Sequence, residues 1–353
     1  MSIFSKAKRK YIVFSKKHKN IKIEESYHYI YIPYQTMATH FDFGSMNLIP
    51  RKCIVNSRSE IDTQVKLGSH TFQLPVVPAN MECVLNDELA VKLAKQGYFY
   101  IHHRFNTNIV EFSKMMLSKT LPISISVGVN KDAYDELDKL IAYSICPDFI
   151  TIDIAHGHSL KMEKMIKYIK ENFSSYIIAG NVSTAEATVD LETWGANAVK
   201  VGIGPGSACT TYVATGFGSR GAQASIIQEC ANARKKPSTC IIADGGIKEP
   251  GDIAKALVMG ADMVMIGGMF SGLKDSPGNP VSVDGRMYKE FWGSASAASG
   301  KTERIEGVKK LIPLQSIGIL EQMNYLKQCL QSAISYGGGK CTMCLQQVKY
   351  FVI

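Results

Sequence analysis

The chain has 353 residues, 46% hydrophobic and 20% charged, which is ordinary for a globular protein with one large α/β domain or two smaller ones. Its formal net charge is +9, but residues 1–36 contain eight Lys or Arg and two Glu, so this segment carries +6 and the remainder only +3. The near-neutral remainder gives little reason to infer nucleic-acid binding, and no apolar run approaches the roughly 20 residues of a membrane span.

Residues 1–36 are basic, β-branched and aromatic, without helical periodicity. They lack the apolar core and cleavage site of a secretory signal, and Glu24 and Glu25 are atypical of a transit peptide. The nine cysteines are scattered along the chain, which favours reduced thiols. We therefore expect a cytoplasmic protein in which 1–36 is a dispensable extension and 37–353 form a single domain.

From residue 74 onward, short apolar strands alternate with amphipathic helices. The predicted strands are 74–80, 98–104, 123–129, 149–155, 176–182, 198–204, 240–246 and 261–268, and the predicted helices include 86–97, 132–144, 159–173 and 250–260. Eight nearly all-apolar strands alternating with helices are typical of a (β/α)₈ barrel, the TIM barrel. An open doubly wound sheet is the alternative, but it usually has five or six such units.

The segment 270–313 interrupts this alternation. It is rich in glycine, serine and charge, and it is too long for an ordinary connection, so we expect either a functional lid, here called the flap, or a disordered insert. A helical pattern at 314–336 then returns to the barrel.

Three glycine-rich loops follow predicted strands, within 198–211, 240–252 and 263–272. Glycine lets backbone N–H groups approach an anion closely, and barrels carry their functional residues at the carboxyl ends of strands. The sequence therefore predicts a phosphorylated small molecule bound at one end of the barrel. Cys209 lies in the first loop, where it is placed as a nucleophile.

Several motifs together identify a family resemblance. They are LPVVPANM (74–81), FITIDIAHGHS (149–159), IIAGNVSTAEA (177–187), KVGIGPGSACTT (200–211) and IIADGGIKEPGD (241–252). Over about residues 41–340 the chain resembles the IMP dehydrogenase/GMP reductase family. The dehydrogenases usually carry a regulatory domain between the second and third barrel units, whereas only 18 residues separate Arg104 from Ile123, and no Arg-Tyr pair occurs between 270 and 353. Both points favour the reductase branch.

The resemblance implies that GMP and NADPH react to give IMP, ammonia and NADP⁺. Cys209 is implied to form a covalent thioimidate at C2 of the base, and Thr211 to relay protons beside it. A potassium ion is implied at the carbonyls of Gly204, Gly206 and Cys209, and the family also implies a homotetramer.

The resemblance also implies the binding residues. Those for the nucleotide are Ser207, Asp244, Gly245, Gly246, Gly267, Gly268, Gly293, Ser294 and Ser296. Those for the cofactor are His103, Asp153, Ala155, His156, Ile241, Ile242 and Ala243, together with Asp244, Gly245 and Gly246.

One position departs from the family pattern. Where the family commonly carries a glutamate that protonates the leaving ammonia, this chain has Ala297. General acid catalysis contributes roughly 10²–10⁴-fold, so the departure bears on rate. Either Glu303 or Glu306 substitutes for the missing acid or deamination is slow, and two other functions stay open: an IMP dehydrogenase without its regulatory domain, and a nucleotide-binding pseudoenzyme.

Overall fold

The computed structural model describes residues 40–293 and 307–353. The predicted extension 1–36 lies outside these residues, as do Ser294, Ser296, Ala297, Glu303 and Glu306. Residues from Phe41 to Ile353 form one compact unit. The domain boundary expected at residue 37 stays a prediction.

Seven parallel strands build the central sheet. Three short strands precede them, β1 (Met46–Leu48), β2 (Val65–Leu67) and β3 (His70–Phe72). The sheet contains β4 (Val76–Pro78), β5 (Ser124–Val127), β6 (Phe149–Asp153), β7 (Tyr176–Val182), β8 (Ala198–Val201), β9 (Cys240–Asp244) and β10 (Met263–Ile266). Its order is β4-β10-β9-β8-β7-β6-β5. A doubly wound sheet reverses its strand order in the middle, and this sequential order excludes that alternative.

The predicted strand 98–104 is not part of this ladder, which corrects the expectation of eight paired strands. The backbone N–H of His102 donates to the Ser124 carbonyl of β5 at 3.0 Å, but the His102 carbonyl accepts from the Ser126 hydroxyl at 2.6 Å. A side chain thus occupies the acceptor that a ladder would pair with a backbone N–H. Phe99 and Ile101 still pack in the buried cluster that contains residues of six strands of this sheet.

Ten helices are described. They are α1 (Asp87–Lys95), α2 (Ile109–Ser118), α3 (Lys131–Ala142), α4 (Leu160–Asn172), α5 (Ala185–Trp194), α6 (Thr211–Thr215), α7 (Gln223–Ala233), α8 (Pro250–Val258), α9 (Gly268–Ser271) and α10 (Ile319–Tyr336). The predicted helices match α1, α3, α4, α8 and α10 to within a few residues at each end. Local chemistry explains the starts: Ser159 accepts from the Met162 N–H at 3.3 Å before α4, and Pro250 opens α8. In the part of the chain that the structure describes, no helix has the length and apolar character needed to cross a membrane.

The described part of the flap has regular structure. Strands β11 (Pro280–Val283), β12 (Arg286–Trp292) and β13 (Lys309–Pro313) form an antiparallel sheet, so the expectation of a disordered insert is wrong for these residues. Antiparallel pairing supplies the backbone partners that the weak apolar pattern did not reveal. A last strand, β14 (Tyr350–Val352), pairs with β1.

The core has two buried layers. One lies inside the curve of the sheet and contains Val77, Ile178, Ala198, Ile242 and Met265 from five strands. The other lies between the strands and the surrounding helices. Because parallel strands with helices on their outer face are buried on both sides, the carboxyl ends of the strands are left to carry the polar residues.

Candidate active site

A cleft of about 1440 Å³ lies at the carboxyl ends of the parallel strands. Thirteen predicted site residues line it: Asp153, Ala155, Gly204, Gly206, Ser207, Cys209, Thr211, Asp244, Gly245, Gly246, Gly267, Gly268 and Gly293. The structure therefore brings together the three glycine loops and the candidate nucleophile, although Gly204 and Gly268 are 64 positions apart in the sequence.

Close packing between two of these loops requires glycine. Gly245 has a φ of +88°, and a Cβ there would lie 2.9 Å from Pro205 Cγ and 3.0 Å from the Gly206 nitrogen. A side chain would therefore both strain the backbone and push the loops apart. This contact holds the loop after β9 against the loop that carries Cys209.

Cys209 is half-buried in a tight turn. Its backbone N–H donates to the Gly206 carbonyl at 3.0 Å, and its thiol donates to the Thr211 hydroxyl over 3.2 Å. The Val308 N–H, just before β13, donates to the Ala208 carbonyl at 3.0 Å. The nucleophile loop is thus in direct contact with the proton-relay candidate and with one strand of the flap.

The centre of the cleft floor is a buried lysine between two carboxylates. Lys200 Nζ lies 2.8 Å from Asp153 Oδ1 and 2.8 Å from Asp244 Oδ2. The lysine side chain is only 2% exposed. Burial by itself would lower the pKa of Lys200, but the charges of Asp153 and Asp244 raise it well above its usual range. Lys200 is therefore a permanent cation.

The two carboxylates differ in how many of their oxygens accept hydrogen bonds from the described protein residues. Burial opposes ionisation of Asp153, yet Lys200 holds the pKa of that carboxyl below its usual range. Asn80 donates to its second oxygen, Oδ2, at 3.1 Å, so both oxygens have protein partners. On Asp244, Lys200 and Asn181 share Oδ2, with Asn181 Nδ2 at 2.8 Å. Among the described residues nothing hydrogen-bonds to Asp244 Oδ1, which is left for a ligand.

Asn181 offers a second unpaired atom. Its amide nitrogen donates to the Gly202 carbonyl at 2.7 Å as well as to Asp244. Its oxygen, Oδ1, is buried without a partner in the described structure, although the residue lines the cleft. A buried acceptor without a donor costs free energy, so this atom indicates a hydrogen-bond donor on the ligand.

Five residues that were predicted to bind the cofactor do not line the cleft. Ile241, Ile242 and Ala243 are fully buried in β9 and are not among the residues that line the cleft. His156 is exposed. His103 is buried, and burial followed by the charge of His102 lowers its pKa to about 4, so its ring is neutral at neutral pH. For these residues a role at the cofactor stays a prediction.

Asn80, Arg104 and Asn181, the polar residues at the carboxyl ends of three predicted strands, also line the cleft, and so does Lys200, which was not predicted. Arg104 Nε donates to the Asp153 carbonyl at 3.2 Å. Each lies at or near the carboxyl end of a predicted strand. The sequence could have revealed Lys200 as a site residue, because a charged residue is unusual within an apolar run such as AVKV of β8.

Sequence comparison defines the class to which this fold and site belong. The model for the IMP dehydrogenase / GMP reductase domain matches residues 40–353, and the chain belongs to that family. It is 49% identical to a GMP reductase of Albidiferax ferrireducens over 315 residues, covering 89% of this chain and 96% of that protein. It is 48% identical to a GMP reductase of Lactobacillus gasseri over 316 residues, covering 89% and 94%.

Proposed function

We propose that this protein is a GMP reductase that converts GMP to IMP and ammonia with NADPH, through a thioimidate on Cys209. The observation that carries the proposal is the Cys209–Thr211 pair in the glycine-loop cleft, 3.2 Å apart, in a chain 47–49% identical to curated GMP reductases. The dehydrogenase and pseudoenzyme alternatives have no comparable support.

The proposed chemistry begins at C2 of the guanine base. The Cys209 thiol loses its proton to the Thr211 hydroxyl, which passes it on, and the sulfur forms a bond to C2. The C2–N bond to the amino group then breaks, and ammonia leaves once that nitrogen has gained a proton. Splitting a substitution into two steps through a covalent intermediate lowers each barrier. NADPH, when bound, supplies the hydride that replaces sulfur at C2.

The nucleotide would lie across the three loops. Backbone N–H groups of the loops containing Gly246, Gly267 and Gly268, with the hydroxyl of Ser207, suit a 5′-phosphate. The unpaired Oδ1 of Asp244 suits a ribose hydroxyl. Gly293, with Ser294 and Ser296 beyond the described residues, would border the base.

The cleft suits a cofactor as well as a nucleotide. Its volume of about 1440 Å³ exceeds the ~300–1,000 Å³ of a typical single-ligand site. Asp153 and Ala155 line the cleft, and the oxygen of Asn181 has no partner among the described residues. We assign the cofactor to this side of the cleft.

A monovalent cation would bind at the turn that carries the nucleophile. Gly204, Gly206 and Cys209 lie within six residues, and the Gly206 carbonyl already accepts from Cys209. Carbonyl oxygens are the donors that hard cations prefer. A potassium ion there would hold this turn in place.

The proposal also covers the closure of the barrel, the assembly and compartment of the protein, and the flap. The segment 98–104 would occupy the eighth strand position and close the sheet into a (β/α)₈ barrel, since His102 bonds to β5 and Phe99 packs inside. The protein would act as a homotetramer in the cytoplasm. All nine cysteines are free thiols, which supports a reducing compartment. The flap would act as a lid over the cleft.

The test follows NADPH absorbance and ammonia release with GMP. We expect the natural chain to consume NADPH and release ammonia in equal amounts. Cys209→Ala should abolish both but still bind GMP, because the loops remain, whereas Cys146→Ala, at an exposed free thiol, should retain full activity. Turnover by Cys209→Ala, or reduction of NAD⁺ with IMP in place of NADPH oxidation, would refute the proposal.

A further inference from the structure

Lys200 is directed from β8 into the cleft floor, where its side chain is only 2% exposed. Strands β7 and β8 approach closely beside it, because a Cβ at Gly180 would come within 2.5 Å of the Lys200 Cβ. Burying an ammonium group is unfavourable unless it is paired. The lysine therefore depends on its hydrogen-bonding partners.

The lysine is the shared partner of two strands that do not pair with each other. Asp153 ends β6 and Asp244 ends β9, with β7 and β8 between them in the sheet. Both carboxylates lie 2.8 Å from Lys200 Nζ. Among the described residues no hydrogen bond joins Asp153 to Asp244, so the contact between the two sides of the cleft passes through this ammonium.

The two side-chain hydrogen bonds that Asp244 accepts both fall on one of its two carboxylate oxygens. Lys200 and Asn181 both donate to Oδ2, each at 2.8 Å. Two donors on one oxygen fix the plane of the carboxylate and leave Oδ1 for a ligand. Charge-assisted bonds of this length are among the stronger ones in proteins. Losing the ammonium would leave Asn181 as the one described side-chain donor to this carboxylate, so its orientation would be less firmly held.

We propose that Lys200 is a positioning residue that orients Asp244 to receive the ribose hydroxyls of the nucleotide, and that it does so from an anchor on Asp153. The proposal rests on the proposed function, which places a purine nucleotide in this cleft. Lys200 itself does not contact the reacting atoms. Its effect reaches the nucleotide through Asp244 alone.

A purely structural role for Lys200 makes a different prediction. If the lysine only neutralised buried carboxylates, its loss would weaken every ligand of the cleft alike. If it orients Asp244, its loss weakens only ligands that carry ribose hydroxyls. Comparing GMP with 2′,3′-dideoxy-GMP separates the two, because the analogue lacks the groups that Asp244 would hold.

The experiment measures dissociation constants of both ligands by calorimetry, without cofactor, on the natural chain and on Lys200→Met. We expect the variant to lose at least about tenfold in GMP affinity, the scale of one hydrogen bond to a charged group, and to bind the dideoxy analogue as the natural chain does. Lys200→Arg should recover part of the loss, since it keeps the cation. Lys167→Met removes a surface pair with Glu163 and should bind both ligands normally.

The remaining outcomes are also decisive. Equal losses for GMP and its dideoxy analogue, or no loss for either, would overturn the role of Lys200. A natural chain that does not bind GMP would instead overturn the proposed function. If circular dichroism shows Lys200→Met to be unfolded, the same comparison on Lys200→Arg decides, because a longer planar cation re-orients Asp244 and should cost affinity for GMP only.

Discussion

The nucleophile loop supplies a thiol and a hydroxyl but no carboxylic acid beside them. Thr211 accepts from Cys209, whereas Asp153 and Asp244 are engaged with Lys200. The nucleophile loop therefore supplies no carboxylic acid to protonate the leaving ammonia. The family resemblance places the usual acid at the position of Ala297.

Restoring that acid should accelerate the reaction. We expect Ala297→Glu to release ammonia at least about tenfold faster, because a positioned general acid contributes roughly 10²–10⁴-fold. GMP affinity should not change. The rate of ammonia release in single turnovers measures the effect, with Ala298→Glu as a control for an added charge one residue away. An unchanged rate would mean that another residue already donates the proton.

The connection from α7 to β9 depends on a carboxylate from a different helix. Glu192 of α5 is 1% exposed and accepts from the backbone N–H groups of Lys235 and Lys236 at 2.8 and 2.7 Å. The Thr239 hydroxyl donates to the same carboxylate at 2.5 Å. Burial opposes ionisation of Glu192, but these donors hold its pKa below the usual range. This one side chain thus accepts three hydrogen bonds from the loop before β9, the strand that ends in Asp244.

Glu192→Gln should therefore destabilise the fold. We expect a loss of about 1–3 kcal/mol in the free energy of unfolding, since a buried charged acceptor is replaced by a weaker one. A depressed carboxyl pKa stabilises above the unfolded value of about 4.3 and is lost as pH falls through the folded value. The natural chain should thus lose stability below about pH 4 more steeply than the variant. Urea unfolding between pH 3 and 7 measures both effects.

A matched change on the surface serves as the control. Glu88 pairs with Lys92 one turn away on α1 and is 73% exposed. Glu88→Gln should cost no more than a few tenths of a kcal/mol. An equal cost for Glu88→Gln and Glu192→Gln would contradict the role given to Glu192.

At the scale of the whole molecule, both ends of the compact unit are held in place by hydrogen bonds within that unit. The Phe41 N–H donates to the Ser225 hydroxyl at 2.8 Å, and β1 pairs along its length with β14. Met46 of β1 is completely buried. The fold from Phe41 onward thus closes with contacts between its first and last strands.

Deleting residues 1–36 should therefore leave the fold intact. We expect the free energy of unfolding to change by less than about 0.5 kcal/mol, as for surface changes, with activity retained. Deleting 350–353 should instead lower the melting temperature, because β1 loses its partner strand. Thermal unfolding of the two truncated chains makes the comparison. A marked loss of stability on removing 1–36 would show that the extension belongs to the fold.

The sequence alone determined much about this protein: the α/β class, seven of the eight strand positions, five of the ten α-helices and the glycine loops with Cys209. These features follow from periodicity, capping and loop composition, which are local properties of the chain. The glycine loops and Cys209 could be assigned to one cleft because parallel strands end at one edge of the sheet. Other predicted residues of the cleft, such as Ala155 and Gly293, came from the family resemblance.

Only the tertiary structure decided the rest. In the structure, residues 98–104 form no strand ladder, and the His102 carbonyl accepts from the Ser126 hydroxyl. The flap sheet forms through the pairing of β12 with β13. The bridge from Asp153 through Lys200 to Asp244 joins three strands. A lysine within an apolar strand does not reveal which two carboxylates it will pair with. Such contacts are set by how strands pack side by side, and their energies depend on burial and distance, which no local pattern in the sequence carries.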